Sequence, residues 1–313
     1  MAVLFVALKA VAVLLAVAVP GYILMKRKMI SEQCIPGFSK ILLFVCQPCL
    51  AVYSFSSLEF SAKMLLNLGI FALLIIFIHA IMLGGAYLVL RKKAAEPVYR
   101  IITIGTTFGN CAFFGIPIIE ALMPSVASEV IVYTTVYAFV MNILGWTVGS
   151  AIISHNTKYI NIKQIFLNPA MLGVLAALTV YIVGIDFPTE LDSMIEYTAR
   201  MATPLSMIVM GMRLATVKLS SVFSDLRIYI TVAVKQLLMP LVAFVIAIAF
   251  VGVDAELRRV LFVTCACPVA SIVLNFSEIV GEGQESAANL VLVSTILSIL
   301  TLPPLMFLLP LIA

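Results

Sequence analysis

Apolar residues run almost unbroken along this chain, and polar residues gather in short clusters between them. Ten apolar stretches result, over residues 3–25, 38–56, 64–90, 98–122, 129–153, 168–184, 190–212, 226–252, 256–280 and 286–311. Each is long enough to cross a hydrocarbon core of about 30 Å as a helix rising ~1.5 Å per residue. Nowhere do apolar and polar residues alternate over ten-residue segments, as the strands of a membrane β-barrel must. The pattern predicts an all-α polytopic membrane protein of ten transmembrane helices joined by short connections. The first stretch, "MAVLFVALKAVAVLLAVAVPGYILMKRK", has no positive leader, and its apolar run is too long for a secretory signal. It reads as an uncleaved first span.

Composition agrees with that pattern. Of 313 residues, 63% are hydrophobic and 11% charged, where soluble domains have about 45–50% and 25%. The net charge of +4 is dispersed between spans rather than gathered on one face, so no nucleic-acid partner is expected. Lys and Arg set the orientation. Connections 1–2, 3–4, 5–6 and 7–8 carry thirteen of them, including Lys26, Arg27, Lys28, Lys40, Arg91, Lys92, Lys93, Arg100, Lys158, Lys163 and Lys218. The opposite side carries four: Lys63, Arg200, Arg258 and Arg259. By the positive-inside rule the first set is cytoplasmic and both termini lie on the outer side. The pairs Cys46/Cys49 ("CQPC") and Cys265/Cys267 fall inside apolar spans with no His or acid beside them, so they read as packing residues. No metal or cofactor is expected.

Ten spans divide into five and five, and an odd number per half gives the second half the opposite topology. Residue matches favour such an inverted repeat. Pro48 pairs with Pro204 and His79 with Lys235 at an offset of 156. Arg100 pairs with Arg258, Thr106 with Thr264, Ala112 with Ala270 and Glu120 with Glu278 at an offset of 158. The expected organisation is a first repeat over 1–153, a short cytoplasmic linker over 154–167 and a second repeat over 168–313.

Spans 4 and 9 carry residues that a lipid-facing helix avoids. Span 4 holds Gly109, Asn110, Gly115 and Pro117; span 9 holds Pro268 and Asn275. Pro117 lacks an N–H, and its ring opposes the Phe113 carbonyl while biasing Ile116 toward extended geometry; Pro268 does the same at Thr264. Two discontinuous spans in corresponding positions of the two halves point to a binding site at mid-membrane depth. Half-helix N-termini carry positive dipole ends that favour an anion.

"FGNCAFFGIPIIEAL", "YAFVMNILGWTVG" and "CPVASIVLNFSEIVG" resemble the auxin efflux carrier family in its short bacterial form, which includes permeases assigned to malate or malonate. The similarity covers essentially the whole chain, without the long loop between spans 5 and 6 of many plant members. The resemblance implies a scaffold of spans 1, 2, 6 and 7 and a transport domain of spans 3–5 and 8–10. It also implies that spans 4 and 9 are broken and cross at the substrate site, as in bile-acid symporters and sodium/proton antiporters, and that the chain forms a homodimer. Carried over, it puts Asn110, Cys111, Gly115, Pro117, Pro268, Ser271 and Asn275 at the crossover.

In span 5, Thr134, Ala138, Asn142, Gly145 and Gly149 form a small or polar stripe suited to helix packing. Asn142 is its candidate for lining the site, while Trp146 reads as structural. Lys235, near the middle of span 8, needs a partner or a wet cavity, to attract an anion, to hold the carbonyls of a broken helix or to tie structurally to an acid. His79 is a candidate proton relay, with hydrogen-bonded packing as its alternative. Glu120 and Glu278 sit at span ends. HExxH, Gly-x-Ser-x-Gly and paired buried Asp residues are all missing, so an intramembrane enzyme is not expected. The sequence predicts a secondary carrier of a small organic anion, a mono- or dicarboxylate, in a multi-pass bacterial plasma membrane among membrane lipids. Alternatives are a sodium-coupled symporter of the bile-acid type and an anion-binding membrane receptor.

Overall fold

The computed structural model describes residues 2–156, 167, 169–216 and 225–312. Lys158, Lys163 and Lys218, and most of the expected linker, lie outside them. Among the described residues the chain is all-helical, with a single two-residue antiparallel pairing and no strand. Six helices are long and apolar enough to cross a membrane: α1 (Ala2–Lys26), α2 (Glu32–Ser56), α3 (Ala62–Leu90), α6 (Pro124–Ser154), α10 (Leu226–Ala249) and α13 (Gln284–Leu311). The other apolar stretches fold as shorter helices. These are α4 (Pro97–Gly105) and α5 (Cys111–Leu122), α7 (Pro169–Val183), α8 (Thr189–Arg200) and α9 (Ala202–Thr216), then α11 (Ala255–Ala266) and α12 (Ile272–Val280).

The long helices are apolar on both sides. Phe71 and Ile75 of α3 are fully buried, while Leu73 and Phe77 of the same helix are more than half exposed. Val13 of α1, Val245 of α10 and Leu300 of α13 are likewise exposed. A water-soluble protein would not carry so much exposed apolar surface on so many helices; a bilayer covers it.

Packing between helices is closest where glycines sit. A Cβ on Gly21 of α1 would lie 2.1 Å from the Ile208 carbonyl oxygen of α9, and one on Gly211 of α9 would lie 1.8 Å from that of Ala18. A Cβ on Gly173 of α7 would lie 2.5 Å from the Pro48 Cα of α2. With no apolar driving force between helices in lipid, such backbone approach is what holds helices together.

Four helices contain one widened turn, over Leu42–Cys46, Cys111–Gly115, Gly145–Gly149 and Val234–Leu238. Three of them are followed, at the second residue of the next helical segment, by a proline: Pro48, Pro117 and Pro240. A proline removes one N–H from the ladder, and a turn with i→i−5 bonds absorbs the defect without ending the helix.

Candidate functional site

The break between α4 and α5 spans Thr106 to Asn110, and that between α11 and α12 spans Cys267 to Ser271. Backbone groups freed there must find partners. Much of the demand is met by the opposite break. Asn110 N–H donates to the Pro268 carbonyl at 2.7 Å, and Ala270 N–H donates to the Phe108 carbonyl at 2.9 Å, so Gly109 and Val269 pair antiparallel. Asn110 itself sits at φ −78° and ψ 64°, with Cys111 N–H donating back to Gly109 at 2.9 Å, an inverse γ-turn. Cys267, ahead of Pro268, is extended at φ −61° and ψ 149°, as a residue before proline prefers.

Side chains meet more of the demand. Val269 N–H donates to Ser294 Oγ of α13 at 3.0 Å. Lys235 Nζ, fully buried in the widened turn of α10, donates to the Cys265 carbonyl at 2.8 Å. It thereby caps the C-terminal end of α11, the end where a helix dipole favours a cation. Gly109 lies against that ammonium: a Cβ there would sit 3.0 Å from Nζ. Beside Lys235, Gln236 donates to the Ser294 carbonyl at 2.7 Å and so ties α10 to the same helix. The hydrogen-bond partner of Lys235 is thus a carbonyl of the broken span.

The expected backbone distortion at Pro117 is corrected. Ile116 is helical, at φ −53° and ψ −53°, and α5 runs through Pro117. The widened turn explains why. Gly115 N–H bonds to the Asn110 carbonyl and Ile116 N–H to that of Cys111, an i→i−5 register that accommodates the prolyl ring. The interruption therefore falls at Thr106–Asn110, ahead of the proline.

A cavity of about 420 Å³ lies on one side of the paired breaks. It brings together five of the predicted residues: Asn110, Cys111, Asn142, Ser271 and Asn275. Among the described residues, the side-chain amides of Asn110 and Asn275 have no hydrogen-bond partner, so both are available to the cavity. Asn142 Nδ2 donates to the Ala138 carbonyl at 2.9 Å. α5 and α12 both begin at this cavity, at Cys111 and Ile272, so both point a positive helix end toward it. Gly115, Pro117, Pro268, Lys235 and His79 do not line it. Gly115 instead admits Cys267, whose Sγ would be 3.0 Å from an added Cβ. His79 Nδ1–H donates to the Ile75 carbonyl at 2.8 Å, and its ring meets the edges of Phe108 and Tyr137. Trp146 stacks edge-on against Phe276 at 4.9 Å on the cavity wall.

Two lining residues had no sequence signal. Gln47 of α2 presents a buried Oε1 with no hydrogen-bond partner. Arg213 of α9 reaches the cavity while its Nη1 holds Glu278 Oε1 at 2.8 Å. Both come from helices outside the broken pair, and Arg213 reads in the sequence only as one more positive charge in a connection. No Asp or Glu lines the cavity among the described residues.

Paired helix interruptions inside a lipid-embedded helical body, with a cavity beside them, define a polytopic membrane protein. A family model described as membrane transport protein matches residues 6–306, and the chain belongs to that family, the auxin efflux carrier family of membrane transporters. Among curated proteins, none matches the chain.

Proposed function

We propose that the protein is a secondary transporter that moves a small organic anion, a mono- or dicarboxylate, across a bacterial plasma membrane. The observation that carries this reading is the cavity. Among the described residues, two half-helix N-termini and two unpartnered asparagine amides converge on about 420 Å³ whose lining has Arg213, ion-paired to Glu278 outside the lining, and no carboxylate. Cavities of ~300–1,000 Å³ suit small ligands, and this chemistry favours an anion over a cation.

Alternating access between two inverted five-helix repeats follows from the same reading, with spans 4 and 9 crossing at their breaks. The packing supports it. α1 lies along α9 and α2 along α7; exchanging the halves turns the first pair, spans 1 and 7, into the second, spans 6 and 2. His79 of span 3 beside Phe108 and Lys235 of span 8 at Cys265 exchange in the same way. The cavity extends toward Ser39 and Arg213, at the end where the positive-inside rule locates the cytoplasm, so this conformation is inward-facing. With the Cys265 carbonyl held by an ammonium, a sodium ion has one ligand fewer at the crossing. That favours a carrier without sodium coupling over the bile-acid type.

Purified protein in liposomes provides the test. Uptake of labelled mono- and dicarboxylates is expected, unchanged by replacing a sodium gradient with potassium. Hydrogen bonds to a charged group contribute about 1.5–3 kcal/mol each, so Asn110→Ala and Asn275→Ala should each weaken uptake roughly 10- to 100-fold at equal protein in the membrane. Wild-type rates in both variants, or no carboxylate bound or moved by the wild type, would overturn the assignment.

A further inference from the structure

A second cavity, of about 540 Å³, lies between α3, α4 and α6, away from the paired breaks. Its wall is apolar for most of its length, with Ile76, Leu83 and Tyr87 from α3 and Leu144, Val148 and Ile152 from α6. Ile76, Tyr87 and Val148 are exposed on its sides, so it opens laterally where the long helices meet the bilayer. One end is basic. Arg91 closes it, followed by Lys92 and Lys93 in a tight turn, and Arg100 lines it from α4.

Arg100 is buried and incompletely satisfied. Its Nη1 donates to the Ile153 carbonyl at 2.6 Å and its Nη2 to Glu282 Oε2 at 2.5 Å, but its Nε has no acceptor. A buried charged N–H without an acceptor costs stability, so the site is one phosphate or carboxylate oxygen short. The dimensions fix what kind of ligand carries that oxygen. From Ile76 at the deep end to Arg91 at the basic end is fifteen residues, ~22 Å. One leaflet with its headgroup region is ~20–22 Å deep, half of a bilayer of about 40–45 Å. The groove thus runs from the headgroup level to the middle of the membrane, basic at the end that lies with the cytoplasmic connections.

We propose that this groove is a binding site for one anionic phospholipid of the cytoplasmic leaflet. The acyl chain lies between α3 and α6, and the phosphate lies against Arg91 and the Arg100 Nε. A lipid is the occupant because the groove is open to the bilayer and apolar up to its basic rim. Basic pockets between helices at the cytoplasmic surface recognise anionic headgroups through the same charge complementarity. The assignment rests on the membrane embedding and the charge-set orientation, and it is independent of which substrate the other cavity takes.

The test uses purified full-length protein, native mass spectrometry and thermal unfolding, with phosphatidylglycerol and phosphatidylcholine of identical chains as probes. Wild type should retain phosphatidylglycerol at least about fivefold more strongly than phosphatidylcholine, and phosphatidylglycerol should raise the unfolding temperature more. Arg91→Ala, at an exposed position that leaves the fold intact, should abolish that preference. Gly84→Leu adds a side chain where open space faces the groove, and it should reduce retention of both lipids in protein that still elutes as one species. Inorganic phosphate at millimolar concentration should displace neither. Equal retention of the two lipids by wild type, unchanged retention in Gly84→Leu, an undiminished preference in Arg91→Ala, or displacement by phosphate would each overturn the proposal.

Discussion

Lys235 and Gly109 act as one unit where the two breaks pair. The ammonium lies 3.0 Å from where a Cβ on residue 109 would sit, and it supplies the donor that the Cys265 carbonyl lost when its helix ended. Lys235→Met leaves that buried carbonyl unpartnered, at a cost of about 1–3 kcal/mol. Thermal unfolding in detergent should fall by several degrees, with transport impaired. Gly109→Ala should destabilise for a different reason, by pushing the ammonium off the carbonyl. In a Lys235→Ala background that second substitution should cost much less, because the atom it strikes is gone. A double-mutant cycle on unfolding temperature checks this; strictly additive effects would show that the two positions are independent.

Among the elements, the glycine contacts of α1 with α9 and of α2 with α7 are the least forgiving. At Gly21 and Gly211 the added Cβ would meet a backbone carbonyl oxygen, which no rotamer change can move. Gly21→Ala and Gly211→Ala should each lower the yield of folded protein and its unfolding temperature sharply. Gly69→Ala, with open space at its Cβ, should change neither; equal behaviour of all three variants in size-exclusion and thermal assays would sink this account. A milder, pH-dependent effect belongs to the start of α10. There Asp225 caps the helix by accepting from Arg227 N–H, and the Arg227 guanidinium bonds to its carboxylate. That side-chain bond holds the Asp225 carboxyl below its ordinary value. The cap's contribution is complete above about pH 4, where unfolded Asp is ionised. It fades as pH falls through the lower folded value. The difference in unfolding temperature between wild type and Asp225→Asn should therefore be large at neutral pH and shrink toward pH 3. Legibility also differs among elements. The six long helices could be read from run length alone, and the interruption of span 9 from Pro268. The interruption of span 4 could be seen but not located, because a widened turn, a feature of hydrogen-bond register, lets Pro117 stay inside a helix.

For the whole molecule, the residues that gather at the cavity come from seven helices, α2, α5, α6, α7, α9, α12 and α13. Asn110, Asn142 and Asn275 were legible because their polarity is out of place in apolar runs, and Cys111 and Ser271 through the family resemblance. Gln47 and Arg213 were not, since only the packing of α2 and α9 against the broken pair turns them inward. Orientation in the membrane can be checked with the chain's own cysteines. Among the six, Cys34 is the exposed one, in the first turn of α2, next to the connection from α1. With that connection cytoplasmic, a membrane-impermeant maleimide should leave Cys34 unmodified in intact cells and label it in inside-out vesicles. Labelling from the outside would reverse the topology.

The paired breaks also set a timetable for biosynthesis. Asn110 N–H and the Phe108 carbonyl find their partners in Pro268 and Ala270, about 160 residues later in the chain. At roughly 5–20 residues per second, the first half sits in the membrane for ~10–30 s with its interruption exposed to whatever water or insertion machinery can reach it. During that interval the nascent chain holds a half-finished polar seam in oil. Any delay in synthesising the second half lengthens the period in which quality control can recognise the first half as unfinished.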